Sequence, residues 1–126
     1  MSSRRLPHAW ASPEVLDQIL LLGQAAAPNE ACGIITPDLR VVSLPNVTPT
    51  NAESSYAIQS EDLVEAISHY IARAKVDETE VQRAQFMIWH THPSGYIGPS
   101  RGDLDNRASG FQYVVVALPN GEATIF

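Results

Sequence analysis

Apolar residues recur at helical spacing in two stretches of the chain. Val15, Leu16, Ile19, Leu20 and Leu22 fall mostly on one face of a helix. Leu63, Ile67, Tyr70, Ile71 and Ala74 repeat the pattern in steps of three and four. Each stretch carries a start signal. Ser12-Pro13-Glu14 offers an N-cap, a proline at the first helical position and an acid in the first turn. Ser60-Glu61-Asp62 opens the second helix in the same manner. Gly23 weakens the first helix, Ala25 to Ala27 carry it on, and Pro28-Asn29 ends it.

Between and after these helices the pattern changes to short apolar runs. Residues 32–36 read as a buried strand, Pro37-Asp38 as a turn, and residues 40–44 as a second strand. Residues 45–55 are polar with two prolines and read as a loop. Tyr56-Ala57-Ile58 is expected as a third strand, with Tyr56 and Ile58 on one face. Residues 76–83 are charged and solvent-facing, either extending the second helix or forming a loop, and residues 85–89 form the next strand. A short helix is expected over 104–109. Residues 111–118, rich in valine and aromatics, form the strongest strand, and Asn120-Gly121 turns it into a return strand over 123–126. Helices interleaved with strands predict a mixed α/β layer fold. Residues 12–126 are expected to form one domain, with residues 1–11 a flexible N-terminal arm.

Composition narrows the function. Eight Lys and Arg against 14 Asp and Glu give a net charge of −6. A surface that tracks phosphates is not expected, so no nucleic-acid partner is predicted. No apolar run reaches the roughly 18 residues a bilayer crossing needs, and no signal core follows Arg4-Arg5, so no membrane association and a cytoplasmic location are expected. Cys32 is the only cysteine, which excludes an intramolecular disulfide and a thiolate-rich zinc site. It reads as a small buried apolar residue. His8 and His69 read as surface histidines.

The chemistry concentrates in residues 90–103. In a strand, positions i and i+2 share a face, so His90 and His92 present both imidazoles to one metal ion. Zinc suits two imidazoles, a carboxylate and a water. Asp103 supplies the carboxylate if the loop over 93–99 folds back, and Asp105 competes for that place. Glu30, at another strand mouth, is the natural proton carrier, although by itself it reads as surface decoration. Ser100 either orients a reactant or simply caps a helix, since Ser100-x-x-Asp103 also has the form of a capping box.

These residues also carry a resemblance. Glu30, His90-Thr91-His92-Pro93, Ser100 and Asp103 resemble, in type and spacing, the signature of the JAMM (MPN+) metallopeptidases: a glutamate upstream, His-x-His-Pro, six residues, serine, two residues, aspartate. Glu30-Ala31-Cys32-Gly33 is similar to that family's glutamate region. The resemblance implies a curved mixed β-sheet flanked by helices, a JAMM/cytidine-deaminase-like layer fold. It implies one catalytic Zn2+ ion held by His90, His92 and Asp103, with Glu30 as general acid and base and Ser100 supporting the transition state. The implied activity is hydrolysis of a peptide or isopeptide bond. The expected substrate is a protein with a flexible, small-residue or Gly-rich tail, of ubiquitin-like, sulfur-carrier or phage-tail type. Asn46 and the Tyr56-x-Ile58 block are similar to compact prokaryotic and phage members. Two other readings remain beside it: a non-catalytic MPN-type assembly module, and a RadC-like nucleic-acid-associated protein.

Overall fold

The computed structural model describes residues 12–126, so the expected arm over 1–11, with His8, lies outside the described residues. Helix α1 (Pro13–Ala26) starts where Ser12 accepts a hydrogen bond from the Val15 N–H, with Pro13 just inside. It is followed by β1 (Cys32–Ile35), β2 (Val41–Leu44), α2 (Ser60–Ala74), β3 (Met87–His92), α3 (Arg101–Asp105), β4 (Gln112–Ala117) and β5 (Glu122–Ile125). The five strands form one sheet in the order β2-β1-β3-β4-β5. Only β3 and β4 run parallel; the other neighbours are antiparallel. The mixed α/β layer expectation is met.

α1 and α2 each cover one face of the sheet. Val15 and Ile19 of α1 pack with Ile35, Met87, Trp89, Val114 and Val116. Ala66 and Tyr70 of α2 pack with Ile34, Phe86, Ile88 and Tyr113. The period-2 alternation of β3 therefore sends Met87, Trp89 and Thr91 towards α1, and Ile88, His90 and His92 towards α2. Among the described residues no helix is long and apolar enough to cross a membrane.

Two glycines permit close approaches that set the site. A Cβ on Gly23 would meet Thr91 Cγ2 at 2.9 Å. The helix-weakening residue is thus what lets α1 press against the strand residue between the two histidines. A Cβ on Gly33 would meet the Val42 carbonyl oxygen at 1.9 Å and Trp89 Nε1 at 2.8 Å. Its absence lets the indole donate to that carbonyl at 3.3 Å.

Two sequence expectations are corrected, and a third is made more specific. Tyr56-Ala57-Ile58 joins no sheet. Its backbone is tied instead to Val47 N–H, which donates to the Ala57 carbonyl, and to the Asn46 side chain. The short helix occupies 101–105 rather than 104–109. Ser100 caps it at once, and the Asn106 amide donates back to the Gly102 carbonyl where it ends. The charged stretch before β3 holds two 3-10 turns, Glu78–Glu80 and Arg83–Gln85.

Candidate metal centre

The sheet register brings distant residues together. β1 lies antiparallel to β3 with Cys32 opposite His90, so the residues just before β1 face the C-terminal end of β3. Ala31 and Thr91, sixty positions apart, lock this end: Ala31 N–H donates to Thr91 Oγ1 at 2.9 Å and Thr91 N–H to the Ala31 carbonyl at 3.0 Å. Continuing the register puts Glu30 beside His92. Its carboxylate is buried, with Oε2 3.9 Å from His92 Nε2. The bland reading of Glu30 as surface decoration is thereby corrected.

Asp103 arrives from the other side, on the first turn of α3. Ser100 Oγ accepts from the Asp103 N–H at 3.1 Å, and Asp103 Oδ2 accepts from the Ser100 N–H at 2.9 Å. The capping box is real, and its effect is to aim Asp103 inward. Asp103 Oδ2 then stands 3.0 Å from His90 Nε2 and 3.1 Å from His92 Nε2, and the two Nε2 atoms are 3.3 Å apart. Asp105, the competing acid, is exposed on the same short helix.

These distances fit a bound cation. Donor atoms about 2.0–2.1 Å from a tetrahedral zinc lie roughly 3.3 Å from each other, close to the observed triangle. His92 Nδ1–H donates to the Tyr96 carbonyl at 3.1 Å. That bond fixes the tautomer in which the Nε2 lone pair faces the centre. Glu30, His90 and His92 also form a buried trio whose ligand atoms lie within 4.8 Å of one another, so this group too is able to hold a metal ion. Asp103 sits nearer to both imidazoles than Glu30 does, which favours it as the third ligand and leaves Glu30 standing back.

Electrostatics follow from burial and from these contacts. Burial drives the His90 imidazole below its usual pKa, towards the neutral form a ligand needs. Burial acts the same way on His92, but the Asp103 hydrogen bond and the Tyr96 carbonyl outweigh it and raise the value. Asp103 is also opposed by burial, yet the hydrogen bonds from His90 and His92 hold it far below the carboxylate range. Glu30 has no such partner for Oε1, and burial pushes its carboxyl up to about 7. Burial pushes the Cys32 thiol up to about 12, which agrees with an inert core residue.

A cavity of about 520 Å3 opens beside the centre, bordered by Ser100, Asp103, Tyr56, Ile58, Ile88 and Tyr113. Sequence reasoning missed two participants here. Tyr96 acts through its backbone carbonyl, which no residue type announces. Tyr56 stacks on His90 with ring centroids 4.4 Å apart and planes 23° from parallel. The sequence singled out Tyr56 only as part of the Tyr56-x-Ile58 block, with no sign that its ring meets His90.

Fold and site together define a mixed α+β protein with a buried histidine-carboxylate centre at a strand end. Residues 12–125 match the sequence profile of the prokaryotic homologs of the JAB domain, and the chain belongs to that family. A solution structure of a protein from Desulfitobacterium hafniense is similar in fold, with a TM-score of 0.67, 17% identity, and coverage of 90% of this chain and 78% of the other. A second solution structure, from Salinibacter ruber, aligns with a TM-score of 0.44 at 24% identity, covering 90% and 75%. No curated protein matches the chain.

Proposed function

We propose that this protein is a zinc-dependent hydrolase of peptide or isopeptide bonds. The observation that carries the reading is the meeting of His90 Nε2, His92 Nε2 and Asp103 Oδ2 within 3.0–3.3 Å, with buried Glu30 beside them. In this reading the two imidazoles and Asp103 hold the ion. Zinc bound there supplies Lewis-acid polarisation and hydroxide at near-neutral pH.

Glu30 handles the protons. Burial, foremost, raises its carboxyl to about 7, and a nearby divalent cation lowers that value, so the group is ionised and basic at neutral pH. It takes the proton released by the attacking water and delivers it to the leaving nitrogen. Ser100 Oγ already accepts from the Asp103 N–H, which leaves its own hydroxyl proton to donate to the oxyanion that develops on the scissile carbonyl.

The substrate we propose is the flexible tail of another protein, of ubiquitin-like, sulfur-carrier or phage-tail type. Small side chains at Ser54, Ser55, Ala57, Ser60, Gly102 and Ala108 border the cavity. Such walls suit a chain of small residues whose backbone approaches closely. The test is to incubate zinc-loaded protein and its Glu30→Gln variant with tail-bearing proteins and read the products by mass spectrometry. Cleavage within a tail by the wild type alone is expected. A zinc-loaded wild type that cleaves none of them would favour an assembly role.

A further inference from the structure

Histidine ligands are normally oriented by a hydrogen bond from the ring nitrogen that does not bind the metal. His92 follows this rule through the Tyr96 carbonyl. His90 does not: its buried Nδ1 has no hydrogen-bond partner among the described residues. Something else has to hold its ring plane.

The Tyr56 ring lies flat against one face of the His90 imidazole, 4.4 Å between centroids. Phe126 meets the same ring edge-on at 6.0 Å and 87°. Tyr56 is not carried by a strand, so its position depends on what fastens residues 55–57. That fastener is Asn46, whose side chain uses all four of its hydrogen-bonding valences. Its amide donates to the carbonyls of Glu30 and Ser55 at 3.1 and 3.0 Å, and its oxygen accepts from the N–H groups of Thr48 and Ala57 at 3.1 and 3.0 Å. Two of these bonds flank Tyr56 on either side. The third reaches the backbone of Glu30.

We infer that Tyr56, buckled in place by Asn46, is a positioning residue that fixes the ring plane of His90 in place of the missing Nδ1 hydrogen bond. The inference rests on the reading of His90 as a metal ligand. The stacking face matters and the hydroxyl does not, since no hydrogen bond to Tyr56 Oη exists among the described residues.

The experiment uses cobalt-loaded protein, whose visible absorption reports ligand geometry, together with the rate of metal transfer to a chelator. Tyr56→Phe keeps the stacking face and is expected to retain the wild-type bands and rate. Tyr56→Met keeps apolar bulk but loses the flat face. It is expected to shift the cobalt bands and to release metal roughly tenfold faster or more. A folded Tyr56→Met protein with wild-type bands and rate overturns the inference, as does a Tyr56→Phe protein that behaves like Tyr56→Met. If Tyr56→Met does not fold, Asn46→Ser replaces it: the rings stay but the buckle is gone, the same shift is expected, and unchanged bands overturn the proposal. Wild-type protein that takes up no cobalt at all sinks the ligand assignment first, and the inference with it.

Discussion

The Nδ1 proton of His92, the last residue of β3, is given to the carbonyl of Tyr96, 3.1 Å away and four residues on in the loop that follows. This single bond chooses which nitrogen faces the centre. It also gives the immediate turn after β3 a second effect: the turn orients the His92 ring as well as carrying the chain to Ser100 and Asp103.

Ser100 caps α3 and, in the proposed mechanism, also donates to the oxyanion. Replacing a serine N-cap by glycine costs a helix only a few tenths of a kcal/mol, but it removes the hydroxyl beside the centre. Ser100→Gly keeps the backbone N–H that donates to Asp103 Oδ2, so it is expected to melt near the wild-type temperature and to hold zinc as wild type does, while turnover falls by about 10²–10³. Wild-type turnover in that variant would reduce Ser100 to a cap.

Glu30 makes the metal-free protein pH-sensitive. Burial raises its folded pKa from 4.5 to about 7. The native state then keeps a proton that the unfolded state has already lost. Stability therefore falls as pH rises from about 4.5 to about 7 and flattens above, by up to about 3 kcal/mol. In chelator-treated samples, urea unfolding of Glu30→Gln should lack this fall. Parallel pH profiles for the two proteins would contradict it.

Asp38 supplies the opposite sign, far from the centre. Arg73 donates to it from Nε at 3.0 Å and Nη2 at 3.2 Å, and the Thr36 hydroxyl donates as well. The Arg73 bonds, foremost, hold the Asp38 carboxyl down at about 2. A depressed carboxylate stabilises above its unfolded pKa, so this contribution is full above about pH 4 and disappears as pH falls towards 2. The advantage of wild type over Arg73→Ala should vanish across that window. At neutral pH it should shrink with added salt, because the pair is exposed.

Gly33 tests the packing that seats the histidine strand. Alanine there drives a methyl into the Val42 carbonyl, a backbone atom that cannot step aside without parting β1 from β2. A loss of about 3 kcal/mol or more is expected from urea unfolding. A loss under about 1 kcal/mol would show that the sheet relaxes easily at this point.

Much of this was legible in the residues. The Ser12-Pro13 start, the Asn120-Gly121 hairpin and the valine-rich β4 rest on local signals, and local structure obeys them. Tyr56-Ala57-Ile58 misled because β-propensity says nothing about whether an edge is available to pair with, and here a loop asparagine takes the backbone bonds instead. The short helix begins earlier than the expected 104–109 because the Ser100 cap, whose capping-box spacing is visible in the sequence, starts it at once. Glu30 looked bland because its setting depends on the antiparallel register of β1 with β3, a long-range fact. The same register seats Cys32 against His90 in the core.

The most direct measurement of the central claim is the zinc content of purified protein after zinc loading and removal of loose metal. About one zinc per chain is expected for wild type and for Asp105→Ala, and almost none for folded His92→Ala or Asp103→Ala. Wild-type protein that retains no zinc, or an Asp103→Ala variant that retains it fully, would contradict the account.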